Sequence, residues 1–251
     1  MNYGLQLYSV RDSSKQNFED ALRRVAEMGY TMVETAGFFG HSAEDVAAWV
    51  KKYGLTVCST HTGFSLLKED LEGQIAFHKA IGCMDVIIPG APCTTKEEVA
   101  VLVDTINRIQ PILEKEGMRL HFHNHSSEFL PNKDGQIVEE VLAEKTNVLF
   151  EIDTFWVFNA GLRVLDVLEK YKDRIHCIHL KDGIPQDWTD PDSRAQGKSV
   201  GSGMVPVKEI VRYAVDHGLT IVVESEGLYP TGMEEVKRCI QFLKELDAKE
   251  N

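Results

Sequence analysis

The sequence predicts a single (β/α)₈ TIM barrel over residues 1–251, and three observations predict it. The chain has the length of one such barrel, which runs to about 250 residues as one domain. Short apolar runs alternate with longer amphipathic segments from end to end. Several of the amphipathic segments end in Gly and pass almost directly into the next apolar run, as in MGYTMVE, YGLTV, EGMRL and HGLTI. That phrase is the helix-to-strand turn of a βα repeat. A doubly wound sheet would show five or six strands rather than eight.

In chain order, the expected strands are Gly4–Val10, Met32–Ala36, Thr56–Thr60, Asp85–Pro89, Arg119–Asn124, Val148–Asp153, Ile175–Leu180 and Thr220–Glu224. Each is rich in Val, Ile, Leu or Phe and too short for a helix. Between them the helical pattern covers Phe18–Met28, Ala43–Tyr53, Leu71–Ile81, Lys96–Glu116, Leu162–Tyr171, Lys208–His217 and Met233–Leu246. Gly29, Gly54, Gly82, Gly117 and Gly218 stand where left-handed C-caps belong. One long irregular stretch, Gly183–Val205, follows the seventh strand and is expected to cover the substrate.

Composition removes several functions. Lys and Arg number 27 against 39 Asp and Glu, so the net charge is 27 − 39 = −12. Nucleic acid is therefore not an expected partner, because phosphate binding needs clustered basic side chains. An anionic membrane surface is excluded on the same ground. The five cysteines are scattered with no CxxC pair, and the N-terminus carries no signal-peptide pattern. A reduced, cytoplasmic protein is expected. Barrels of this kind often pair, but no feature identifies a homo-oligomer surface.

Function in a barrel is read at the C-terminal ends of the strands. Those ends hold Glu34, His61, His123, His125, Glu151, Asp153, His179, Lys181, Asp182, Glu224 and Glu226. On strand five, period-two alternation places His121, His123 and His125 on one face and Leu120 and Phe122 on the other. Glu151 and Asp153 share a face of strand six in the same way. Imidazoles and carboxylates converging from neighbouring strands are the donors that one divalent ion (Mn, Co, Zn or Mg) needs. His123, Asp153, His179 and Glu224 are the expected ligands, with Glu151 in reserve. His121 and His176 lie early in their strands and are read as structural. His41, His78 and His217 are read as loop or helix-surface residues.

The phrases GLQLYSVRD, HNHSSEF, EIDTFWVFNAG, IHLKDG and VVESEG, in that order and at barrel spacing, give the chain a resemblance. It resembles the xylose isomerase-like barrel superfamily, in its sugar phosphate isomerase/epimerase branch, over essentially its whole length. The resemblance implies a metal held by Glu, Asp, His and Glu from strands five to eight, the last three falling on Asp153, His179 and Glu224. At strand five, His123 stands where the usual Glu is expected, which argues against a symmetric two-carboxylate epimerisation.

The shared chemistry the resemblance implies is proton removal beside a metal-held oxygen of a small sugar. Glu224, His125 and Glu128 are the candidate bases. Lys181 is expected to balance developing charge, and Asp182, Trp156, His61 and Glu34 to contact the sugar. A Lys181–Asp182 ion pair and wall packing of Trp156 are the structural alternatives. The leading expectation is a sugar isomerase or epimerase, with a lyase like the inosose dehydratases or the enzymes that eliminate from 3-keto-sugars as the alternative. The apurinic endonuclease branch needs a basic groove that this chain lacks. A non-catalytic sugar-binding barrel stays open. No glycine-rich cradle beyond Gly201-Ser202-Gly203 implies a phosphate.

Overall fold

Eight parallel strands close on themselves. They are β1 (Gly4–Gln6), β2 (Met32–Ala36), β3 (Thr56–His61), β4 (Asp85–Ile88), β5 (Arg119–His123), β6 (Leu149–Asp153) and β7 (Ile175–Leu180). A two-stranded hairpin of β8 (Asp182–Ile184) and β9 (Gln196–Lys198) follows, and β10 (Thr220–Val223) completes the barrel. β1 pairs with both β2 and β10, so the barrel has no open edge. This computed structural model describes residues 1–250. No helix of the described residues is long and apolar enough to cross a membrane.

Period two decides what each strand buries. Val33, Leu120, Phe122, Phe150, Ile152, Ile178, Leu180, Ile221 and Val223 join the apolar cluster beneath the surrounding helices. The alternate positions, Gln6, Glu34, Ser59, His123, Glu151, Asp153 and His179, are buried on the other face. Buried polar groups of that density are tolerable only when they bond to one another. The five expected C-cap glycines all adopt left-handed φ, from +66° to +100°. There a side chain would crowd the following carbonyl.

Four differences from the sequence reading have physical causes. The first strand stops at Gln6, because its side chain accepts the Tyr8 N–H at 3.0 Å and starts a 3₁₀ turn over Leu7–Val10. Short helices at Arg11–Ser14, Phe64–Glu69, Val138–Lys145 and Thr154–Asn159 were not anticipated, since eight residues or fewer show too little periodicity. His78 is buried rather than on a helix surface. Its Nε2 sits 2.5 Å from Thr60 Oγ1 and its Nδ1 bonds the Gln74 carbonyl.

The fourth concerns Gly183–Val205, expected to be an irregular cover over the substrate. It begins as the β8–β9 hairpin and then wraps around Asp182. That buried carboxylate accepts N–H groups from Gly183 and Val205 on one oxygen and from Gly201 and Gly203 on the other, at 2.8–3.0 Å. Its acceptor capacity is spent on backbone, which corrects the expectation that Asp182 holds a sugar hydroxyl. The Gly201 and Gly203 amides are tethered to this carboxylate, which anchors the two ends of the segment to each other.

Asp182→Ala should therefore destabilise the protein by about 3 kcal/mol, since hydrogen bonds to a charged group are each worth about 1.5–3 kcal/mol. Urea unfolding reads the loss, and limited proteolysis should cut first between residues 183 and 205. A loss below about 0.5 kcal/mol, the usual range for an inconsequential surface change, would contradict the tether.

Candidate active site

Three polar layers stack inside the barrel. At the bottom, Asp85 Oδ1 accepts from His121 Nε2 at 2.7 Å while Arg119 forks onto both Asp85 oxygens at 2.6 Å. Burial would raise the Asp85 carboxyl, but His121 and Arg119 hold it below its usual value. His121 and the nearby His176 thus sit in the structural layer.

The middle layer joins two carboxylates to three imidazoles. Glu34 Oε1 accepts from Gln6 Nε2 at 2.6 Å and His179 Nε2 at 2.5 Å, and its Oε2 accepts from Ser59 Oγ at 2.5 Å. Glu151 Oε2 accepts from His61 Nε2 at 2.8 Å and from His123 Nδ1 at 3.1 Å. Burial would raise Glu151, yet His179, His123 and His61 hold it well below the usual carboxylate range. Burial opposes a charge on His179 too, but Glu151 and Glu34 raise it well above an ordinary histidine. Burial drives His123 well down, and the His179 and His61 rings add to that, so His123 stays neutral.

The top layer is where donors are left over. Asp153 ends β6 and caps the next helix, one oxygen accepting the Trp156 N–H at 2.9 Å. Its other oxygen, Oδ2, is buried with no hydrogen-bond partner, and so is His179 Nδ1. Glu224 Oε2 lies 3.3 Å and Asp153 Oδ2 3.9 Å from that same nitrogen. Donor atoms of Asp153, His179 and Glu224 lie within 4.8 Å of one another. Burial, with Glu224 adding to it, pushes the Asp153 carboxyl up to about 7 despite the opposing Lys181.

This donor set fits a divalent cation. Two carboxylate oxygens and one imidazole nitrogen converge, and the far nitrogen of that imidazole donates to a carboxylate, as metal-bound histidines usually do. A second grouping, His61, His123, Glu151 and His179, is equally close. Its nitrogens already share the Glu151 oxygen, so it is satisfied without an ion. Of the four expected ligands, three thus meet directly. His123 is oriented by Glu151 through Nδ1, which leaves its Nε2 as the remaining donor. Glu151, held in reserve as a ligand, serves that orienting role.

Above these layers lies a cavity of about 370 Å³ lined by Tyr8, His61, His123, His125, Glu224 and Glu226, with Ala36 and Pro89 as its apolar lining. The His125 ring stands 5.1 Å from His123 and 5.7 Å from Trp156, centroid to centroid, and no hydrogen bond to its side chain is formed among the described residues. Burial lowers its pKa, with Lys181 adding and Glu128 opposing, which favours the neutral imidazole.

Other expected residues are placed elsewhere. Glu128 is buried off the cavity, its Oε2 taking the His125 N–H and the Ser127 hydroxyl at 2.9 Å, which corrects its reading as a base. Glu34 is fully buried beneath His179, so it supports rather than contacts a sugar. Lys181 is buried 3.1 Å from Glu224, 3.0 Å from Glu226 and 3.8 Å from Asp153, with its Nζ 4.7 Å from the Trp156 ring centre. It makes no pair with Asp182. Burial would lower its pKa, but those three carboxylates raise it. Trp156 packs in the wall under that ammonium. Tyr8 and Glu226 carry no assignment from the sequence. Glu226 was legible two positions beyond Glu224, just past the eighth barrel strand, whereas Tyr8 was hidden by the overlong first strand.

Residues 22–246 match the model of a family described as xylose isomerase-like TIM barrel. A curated relative, the inosose dehydratase of Geobacillus kaustophilus, is 26% identical over 199 residues. That match covers 65% of this chain and 61% of the relative, so the chain spans about three fifths of that relative's length. A solved sugar phosphate isomerase/epimerase from Parabacteroides distasonis is 25% identical with a TM-score of 0.77, covering 96% of this chain and 93% of that one. A zinc-bound protein named IOLI has a TM-score of 0.72 at 15% identity, covering 99% of both chains, a likeness of fold alone.

Glu34→Gln and Glu151→Gln should each weaken Mn²⁺ binding about 10- to 100-fold, the usual cost of losing a carboxylate behind a ligating histidine. Calorimetric titration measures it. Unchanged affinity in both variants would contradict the orienting role.

Proposed function

The chain belongs to the xylose isomerase-like TIM barrel family, and from that premise we propose that it is a divalent-metal-dependent lyase. Its substrate is a small polyhydroxylated ketone of the keto-sugar or inosose class, from which it eliminates water. The observation that carries this reading is His125, which lines the cavity with no hydrogen bond to its side chain among the described residues and is not needed to hold the cation, while Glu224 and Glu226 are both tied to Lys181. Epimerisation needs a proton acceptor on each face of the carbon, whereas a same-face elimination needs one. The inosose dehydratase name of the curated relative points the same way. The isomerase or epimerase reading, first in the sequence analysis, keeps the support of the family and of the similar Parabacteroides sugar phosphate isomerase/epimerase.

The cation would be held by Asp153, His179 and Glu224, with His123 as the fourth donor, and supplies Lewis-acid stabilisation of negative charge developing on the ketone. The unprotonated ring nitrogen of His125 takes the proton from the carbon beside the ketone. The electron pair released moves towards the carbonyl and then forms the carbon–carbon double bond as the hydroxyl on the next carbon departs. His125 returns its proton to that hydroxyl, so water leaves and the imidazole is again neutral. The buried Lys181 ammonium holds Glu224 and Glu226 in place and adds positive charge near the developing oxyanion.

Incubation of the Mn²⁺-loaded protein with an inosose should generate the ultraviolet absorbance of an unsaturated ketone. His125→Ala should lower kcat by about 10²- to 10⁴-fold, the range for loss of a general base, with a smaller effect on KM. Solvent deuterium entering the substrate, or a new sugar isomer, without that absorbance would favour isomerisation instead.

A further inference from the structure

We infer that the substrate carries a second, sugar-sized polyol unit, bound in a cleft beside the histidine cavity. This rests on the keto-sugar reading above. Glu226 is the shared wall: its carboxylate lines the catalytic cavity on one side and a cleft of about 740 Å³ on the other. The cleft lies between β9 and the loop after β10, and its floor is a close backbone approach. A Cβ on Gly227 would stand 3.3 Å from the Gly197 carbonyl and 2.9 Å from Glu235 Oε1. With glycine at both positions, the strand and the loop come into backbone contact with no side chain between them.

The chemistry of the lining names the ligand class. Lys198 and Arg238 face Glu226 and Glu235, so cations and carboxylates balance. The Arg238 guanidinium is already engaged, by Glu235, by the Tyr229 carbonyl and by Ser199 Oγ at 3.0 Å. A phosphate would find one uncommitted cation beside two carboxylates, which disfavours an anion. Ser199, Ser202, Lys198 and the carboxylates offer donors and acceptors in the mixture that sugar hydroxyls use. Tyr229 lines the same cleft while exposing 78% of its surface. An aromatic ring left in water beside a polar cleft suits the apolar face of a pyranose.

Calorimetric titration of the metal-loaded full chain with glucose, cellobiose, maltose and glucose 6-phosphate tests this. At least one disaccharide should bind about tenfold or more tightly than glucose, equivalent to one further well-formed contact set. Tyr229→Ala and Lys198→Ala should each erode that advantage while leaving the affinity for glucose in place. Both variants remove surface atoms from exposed or half-buried positions, and thermal unfolding checks that they stay folded. Equal binding of glucose and both disaccharides, no disaccharide binding, or tightest binding of glucose 6-phosphate would overturn the inference. Its failure is separable from that of the lyase reading. An inosose that is dehydrated without any disaccharide advantage defeats the cleft alone, and a disaccharide advantage without turnover of any keto-sugar defeats the lyase reading alone.

Discussion

The hydrogen bond from His179 Nε2 to Glu34, 2.5 Å across the inside of the barrel, governs which ring nitrogen faces the mouth. With Nε2 donating to Glu34, the Nδ1 side is turned to Asp153 and Glu224, where a bound cation would replace the Nδ1 proton. Glu151 does the same for His123 through Nδ1. Two carboxylates from β2 and β6 therefore aim the imidazoles of β7 and β5. Strand register alone would leave those rings free to present either nitrogen, and the donor set at the mouth would not assemble.

Electrostatics then limits what the top layer can be. Asp153, Glu224 and Glu226 bring three carboxylates around one buried ammonium, Lys181. Water is largely excluded there, and unpaired charge is expensive without it. The Asp153 carboxyl, pushed up to about 7, and its unpartnered Oδ2 are the residue of that imbalance. A divalent cation removes both features together, satisfying the orphaned oxygen and the orphaned nitrogen of His179. The Lys181 ammonium has a different task, since it binds the outer carboxylates and leaves His125 as the neutral group able to accept a proton.

Much of this was legible in the sequence, and for a definite reason. Period-two alternation on β5 and β6 sorts His123 from Phe122 and Glu151 from Ile152 without any knowledge of the fold's closure. The helix–Gly–strand phrases mark the repeats because left-handed C-caps demand glycine. What alternation cannot give is partnership. Lys181 and Asp182 are adjacent in the chain, so they point to opposite sides, and the ion pair that adjacency invites does not form. Glu128 has the right type and place for a base, but its own turn needs a carboxylate to hold the His125 N–H. Asp182 likewise closes a loop whose amides come from up to 23 residues away. The hairpin β8–β9 escaped because three-residue strands carry too few positions to show a period.

The central claim, that Asp153, His179 and Glu224 form a cation site prepared by Glu34, is tested most directly by elemental analysis. The protein would be purified without chelator or affinity metal, beside an Asp153→Ala/His179→Ala double variant. About one equivalent of Mn, Co, Zn or Mg in the parent protein, lost in the variant, is the result the account predicts, since one set of three or four donors holds one ion. No metal in either protein, and none taken up when these ions are added, would contradict it. The buried Asp153 oxygen and His179 nitrogen would then need another explanation.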